Sequence, residues 1–140
     1  MIEGEHSMIT VVWRIYGDNF NVDKFLSINP ELSPSLVWRK GELRRGYKEL
    51  MINSGVNIPF CERETIEDVM TVVFRWLKKW RQKILTLRKR RVYSTLDFAV
   101  YVGSLKQFAV QINFHPKYLL RLAKAGVCLT VSAYPVSDDN

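Results

Sequence analysis

The sequence predicts a single α+β domain, in which a mixed or antiparallel sheet of about six strands carries one long helix and one or two short helices on one face. Three observations lead to this prediction. The chain has 140 residues, 47% of them hydrophobic, which suits one domain with a real core. Segments with alternating apolar residues, typical of strands, recur along the chain. One stretch instead repeats its apolar residues at steps of three and four, which indicates a long helix.

The first strand and the first helix have clear limits. Apolar residues alternate over 9–17, which predicts a strand, and Gly17-Asp18-Asn19 ends it with turn residues. Asn21 can cap a short helix over 22–28. Pro30 stops this helix, because proline cannot continue the hydrogen-bond ladder.

Two short strands are predicted next, over 36–43 and 47–55, joined by a turn at Arg44-Arg45-Gly46. The segment 56–64 is predicted to be a connection. The reason is Pro59, which cannot donate a hydrogen bond to the ladder of a central strand.

A long helix is predicted to begin at Thr65, which forms a variant of the capping box with Asp68. We expect about 25 residues, or roughly 37 Å at the usual rise per residue. Its apolar stripe consists of Ile66, Met70, Val73, Leu77, Trp80, Ile84 and Leu87.

The last part of the domain is predicted to contain three strands and a helix. Alternation over 92–104 and again over 108–115 predicts a hairpin. Pro116 suits the first turn of a final helix, and Gly126 lies just past its end. The last strand is predicted over 127–134.

The domain is predicted to span 9–134, between a flexible N-terminal tail at 1–8 and a C-terminal tail at 135–140. No apolar run reaches the ~18 residues needed to span a bilayer, so we expect no membrane segment. The N-terminus is acidic and shows no secretory signal pattern. Cys61 and Cys128 are not in a CxxC pair, which argues against a zinc site and fits a reducing cytoplasm.

Three short blocks of the sequence resemble a known family. They are Tyr16-Gly17-Asp18, Trp38-Arg39-Lys40-Gly41-Glu42 and Asn53-Ser54-Gly55, and the chain closes with the helix and strand of 116–134. Together they resemble the bacterial family of small single-domain proteins called domain of unknown function 4279, over roughly residues 9–134. The resemblance implies a bacterial source and an α+β fold, and no activity. The strongly basic long helix departs from the family's usual pattern.

No catalytic, metal-binding or cofactor motif occurs in the chain. His115 precedes Pro116, where it is expected to support the start of the last helix. The acids Glu62, Glu64, Glu67 and Asp68 lie at the start of the long helix, where they complement its dipole. We therefore expect no catalytic residue, no metal and no cofactor.

The stretch from Arg75 to Arg91 holds nine basic residues and no acid. The whole chain has a net charge of +7, so the rest of it is left at −2. Like charges at i,i+4 should each cost a few tenths of a kcal/mol in an isolated helix. Only the last turn is favoured by the helix dipole. The predicted partner-binding residues on this helix are Arg75, Lys78, Lys79, Arg81, Lys83, Lys89 and Arg90.

Arg39 and Lys40 form a second candidate contact for an anion, beside the turn at Gly41. The simpler interpretation of this block is a buried Trp38 and a lysine that extends its charged end to solvent.

Three functions are compatible with these observations. The first is a non-catalytic bacterial immunity protein that binds an acidic toxin domain through the basic helix, where charge complementarity would speed association. The second is a nucleic-acid-binding protein that uses the same helix, with strong salt dependence. A small enzyme with a dispersed site ranks last.

Overall fold

The structure, a computed structural model, describes residues 8–44, 46, 48–103 and 109–136. The elements are β1 Ile9–Gly17, α1 Val22–Ile28, β2 Leu36–Trp38, β3 Ser54–Arg63, α2 Ile66–Lys89, β4 Tyr93–Val102, α3 Pro116–Lys124 and β5 Cys128–Pro135. The five strands form one sheet in the order β2-β3-β1-β4-β5. All neighbours are antiparallel except β4 and β5, which are parallel. The predicted α+β class is therefore confirmed; the described residues form three helices and five strands, where about six strands were predicted.

The core lies between one face of the sheet and a layer of helices. Trp13 in β1 is fully buried at its centre. Its ring lies 6.1 Å from that of Phe25 in α1, and 5.1 and 5.2 Å from those of Trp76 and Trp80 in α2. Aromatic pairs at these distances stabilise a core beyond their buried area. The alternating pattern of β1 thus buries one face and leaves the other to the far side of the sheet.

The long helix has its predicted start, length and stripe. The Thr65 side chain accepts a hydrogen bond from the backbone N–H of Asp68 at 3.2 Å. All stripe residues are buried except Ile66, which is half-buried. The helix closes through a hydrogen bond of 3.0 Å from Val92 N to Leu87 O, with Arg91 at a φ of 61°. This is the left-handed position that usually follows a helix.

The prediction of a connection over 56–64 was wrong, because β3 occupies most of this segment and lies between β2 and β1. Two features accommodate Pro59. The short β2 pairs only with Gly55–Asn57, so Pro59 lies where β3 has no outer neighbour among the described residues. The register with β1 also shifts at this point, since Val11 faces Cys61 while Val12 faces Pro59. Edge positions and bulges are where a strand tolerates proline.

The two strands predicted over 36–43 and 47–55 were only partly correct. Only Leu36–Trp38 of the first joins the sheet. The described residues 39–44, 46 and 48–53 instead form a short irregular hairpin, which we call the arm. Arg45 of the predicted turn and Tyr47 of the predicted second strand lie outside the described residues. The arm is held by backbone bonds from Gly41 N to Met51 O, Met51 N to Glu42 O and Arg44 N to Glu49 O, at 2.9, 2.7 and 2.8 Å.

The strand predicted over 108–115 is not found in residues 109–115, and residue 108 lies outside the described part. The apolar residues of the pattern, Val110, Ile112 and Phe114, are half-buried against the core. The ring of Phe114 lies 5.0 Å from that of Phe98 in β4. No hairpin with β4 forms because β1 and β5 already occupy both of its edges.

The two predicted tails lie largely outside the described residues, which begin at Met8 and end at Val136. The expected tail at 135–140 nevertheless begins too early. Pro135 belongs to β5, and the N–H of Val136 donates to the Val102 carbonyl at 2.8 Å. Within the described ranges, no helix combines the length and the apolar character needed to cross a bilayer.

Candidate functional site

The predicted cations of α2 lie on the helix surface that faces away from the sheet. Six of them are exposed and Lys83 is half-buried. The apolar stripe contacts the sheet, so the geometry of the helix leaves these charges on the outer side. The set consists of Arg75, Lys78, Lys79, Arg81, Lys83, Lys89 and the C-cap residue Arg90.

Carboxylates compensate little of this charge. Among the described residues, the cations of α2 form one ion pair, in which Lys79 Nζ lies 4.0 Å from the Glu31 carboxylate. Both side chains are largely exposed, and such a pair contributes at most about 1 kcal/mol. The Lys79 ammonium also lies 5.2 Å from the Trp80 ring. The like-charged neighbours Arg75 and Lys83 therefore still repel Lys79.

A second helix, α3, extends this surface. The sequence analysis did not predict that α3 contributes to it. The Arg121 guanidinium lies 3.7 Å from the Phe74 ring of α2, and the Tyr118 ring lies 5.4 Å from the same ring. Near the other end, the Arg88 side chain packs against Gly126. These contacts place α3 alongside α2. The exposed cations of α3 are Lys117, Arg121 and Lys124.

We call these seven residues of α2 with its C-cap and three of α3 the basic helical surface. A signal for the α3 part was present in the sequence. Lys117, Arg121 and Lys124 are spaced by four and three, so they share one face of a helix, and the segment 116–124 contains no acid. Only the packing shows that this face adjoins the cations of α2.

Arg39 is exposed and forms ion pairs with two carboxylates of the protein. Its Nε and Nη2 donate to the two carboxylate oxygens of Asp23 at 3.0 and 2.7 Å, and its Nη1 lies 3.4 Å from Glu42. These bonds raise the pKa of Arg39 and hold the pKa of Asp23 below its usual value. The pairing ties the arm to α1, and the predicted anion contact at Arg39 stays a prediction. The Lys40 side chain stays exposed, while its backbone N–H donates to Ser54 Oγ at 2.8 Å.

A charged pair that the sequence interpretation did not single out lies on the helix-free face of the sheet. Arg14 Nη2 lies 2.5 Å from Asp97 Oδ2, across β1 and β4. The Asp97 side chain is 1% exposed and that of Arg14 is 37% exposed. Ser132 Oγ in β5 donates to the same Asp97 oxygen at 2.9 Å. Each of the two charges is alone among apolar and hydroxyl neighbours of its own strand, which is a signal that the sequence did carry.

A pocket of about 760 Å³ lies beside this pair, between the sheet and the arm. We call it the arm pocket. Its floor includes Arg14 and Asn57, which face each other across β1 and β3. Its walls are mainly apolar and include Leu36, Trp38, Leu43 and Leu50.

The three sequence blocks that carry the family resemblance come together around Trp38 and Gly55, and of these blocks only 38–42 lines the pocket. Trp38 lies flat over Gly55, where any larger residue would overlap the indole ring. Its Nε1 donates to Asn53 Oδ1 at 2.9 Å. Tyr16 is the register partner of Gly55 on β1. These contacts hold Trp38, a wall residue of the pocket, in one orientation.

His115 caps α3 as predicted, since its Nδ1 accepts a hydrogen bond from the backbone N–H of Lys117 at 3.1 Å. In the part of the chain that the structure describes, no three His, Cys, Asp or Glu side chains lie close enough to hold a metal ion. Comparison of the chain with family models, with curated proteins and with solved structures gives no match. The resemblance to family 4279 therefore stays a prediction.

Proposed function

We propose that the protein is a non-catalytic binding protein whose basic helical surface holds an acidic protein, in the manner of an immunity protein that neutralises a toxin domain. One observation carries the proposal. Ten cations on two adjoining helices have a single weak ion pair among the described residues. Their mutual repulsion destabilises the free protein. Carboxylates of a partner would relieve that repulsion and also speed association.

The surroundings of this surface favour a protein over a nucleic acid. Leu119 and Leu120 on α3 are 44% and 55% exposed, and exposed leucines suit a protein interface better than a phosphate backbone. At the other end of α2, Glu67 and Asp68 are exposed beside Glu62 and Glu64 of the preceding segment. A phosphate backbone that followed the helix axis would meet these carboxylates, whereas a protein partner can place cations there.

The test compares two triple charge reversals that change the net charge equally. The first, Arg75→Glu, Lys78→Glu and Arg121→Glu, alters the basic helical surface. The matched control, Lys24→Glu, Lys48→Glu and Arg63→Glu, alters exposed cations elsewhere. Each tagged variant is used to capture partners from a lysate of the native host, with and without nuclease and at two salt concentrations.

We expect the wild type and the control to retain one stoichiometric protein that survives nuclease, and the surface variant to lose it. Equal retention by both variants would refute the role of the surface. Capture of nucleic acid that disappears at high salt would replace the proposal with the nucleic-acid alternative.

A further inference from the structure

We propose that the arm pocket binds a small organic acid, with the carboxylate on Arg14 and an apolar body against the arm. This site lies on the helix-free face of the sheet, opposite the basic helical surface. Its test is therefore independent of the proposed function.

Arg14 is held in a position suited to bind a carboxylate. Nη2 of the Arg14 guanidinium pairs with Asp97, which is almost fully buried. The Ser132 hydroxyl donates a hydrogen bond to the same carboxylate. The Arg14 side chain keeps 37% of its surface exposed and lines the pocket. A guanidinium has five N–H donors in a rigid plane, so one edge can bind Asp97 while another binds a ligand carboxylate.

Asn57 adds a second polar group next to Arg14. The two residues are register partners on β1 and β3, which places their side chains side by side. Asn57 Oδ1 is buried and has no hydrogen-bond partner within the described protein. The other end of this amide is Nδ2, a hydrogen-bond donor. Two adjacent donors match the two oxygens of a carboxylate.

The apolar walls of the arm pocket favour a ligand with an apolar body. Leu36, Leu43 and Leu50 line the pocket and are 54%, 65% and 61% exposed. Their exposure is unfavourable in water, and a bound hydrocarbon group would cover it. The volume is in the range of small-molecule sites, roughly 300–1,000 Å³. Glu42, Glu49 and Arg44 also line the pocket, so two carboxylates offset two arginines and leave no net attraction for a multiply charged anion such as phosphate.

The test uses octanoate, with octanamide as a neutral probe of the same length, and measures binding to the intact protein by calorimetry. We expect saturable binding of octanoate about tenfold tighter than that of octanamide, because hydrogen bonds between charged groups are roughly twice as strong as neutral ones. Equal affinities for the two probes, or no saturation by octanoate up to about 10 mM, would overturn the proposal.

Three variants locate the site. Leu50→Glu places a like charge at an exposed wall position and should weaken octanoate binding at least fivefold. Ile28→Glu is the matched control, because Ile28 is 57% exposed on α1 and does not line the pocket. Arg14→Gln combined with Asp97→Asn removes both charges together and leaves neither buried alone. This double variant should bind octanoate and octanamide within twofold of each other. Equal losses in the Leu50 and Ile28 variants would refute the location.

Discussion

Arg14 and Asp97 are unequally buried, and this predicts an asymmetry between two substitutions. In Arg14→Leu, the Asp97 carboxylate remains 1% exposed and has no cation beside it. Breaking a buried pair in this way costs about 3–5 kcal/mol. We expect the lower part of that range, about 3 kcal/mol, because the Ser132 hydroxyl still donates to Asp97.

Substitution of the other partner, Asp97, should cost less stability. In Asp97→Asn the shape is preserved, and Arg14 is 37% exposed, so water can hydrate its charge. The loss is then that of one charge-assisted hydrogen bond, about 2 kcal/mol. Replacement of both residues by leucine should restore stability to within about 1 kcal/mol of the wild type, since no charge is left unpaired.

The assay is urea unfolding followed by fluorescence, for which the four tryptophans provide the signal. Free energies of unfolding are compared at equal m-values, so that a changed unfolded state is not mistaken for a changed contact. The reasoning would be refuted if Asp97→Asn cost as much as Arg14→Leu. It would also fail if the double leucine variant were as unstable as the sum of the two single changes.

Three further predictions concern local features. Gly55→Ala should destabilise the fold by about 2 kcal/mol in urea unfolding, because the added Cβ would overlap the Trp38 ring; an unchanged midpoint would contradict this packing. Arg91→Gly should stabilise the protein by about 1 kcal/mol, since glycine removes the cost of a φ of 61°; a lower melting temperature would oppose this. The pKa of Asp23 is held below the ordinary value of 3.8 by the hydrogen bonds of Arg39, so its stabilising effect is present above that value and is lost as the pH falls through the lower pKa of the folded state. An NMR titration of the Asp23 carboxyl should show this pKa rising towards the ordinary value in Arg39→Leu, and no change would contradict the pairing.

Several elements could be predicted because their signals are local. The caps at Asn21, Thr65 and His115 each satisfy a backbone N–H within three residues of their own position. The stripe of α2 and the alternation of β1 depend only on the period of the chain. These local features were enough to predict three helices and most of the strand positions.

The two wrong predictions about the sheet, over 56–64 and 108–115, have causes that lie elsewhere in the sequence. Pro59 is compatible with β3 only because β2 is too short to reach it and the register with β1 shifts beside it. The alternating residues over 109–115 could have formed a strand beside β4, but β5 takes that edge in parallel. A period in the sequence shows that a segment can be extended, and it does not show which sheet edge is free.

The candidate sites also have a part that the sequence predicts and a part that only the tertiary structure decides. The cations of α2 follow from the sequence, since a helix with one apolar stripe must turn its charged residues outward. The tertiary structure alone placed Arg121 beside Phe74, paired Arg39 with Asp23 and joined Arg14 to Asp97. Each of these pairs joins two different parts of the fold, and Arg14 and Asp97 lie far apart in the sequence. Long-range contacts of this kind depend on sheet order and helix packing, and these are decided only when the whole chain folds.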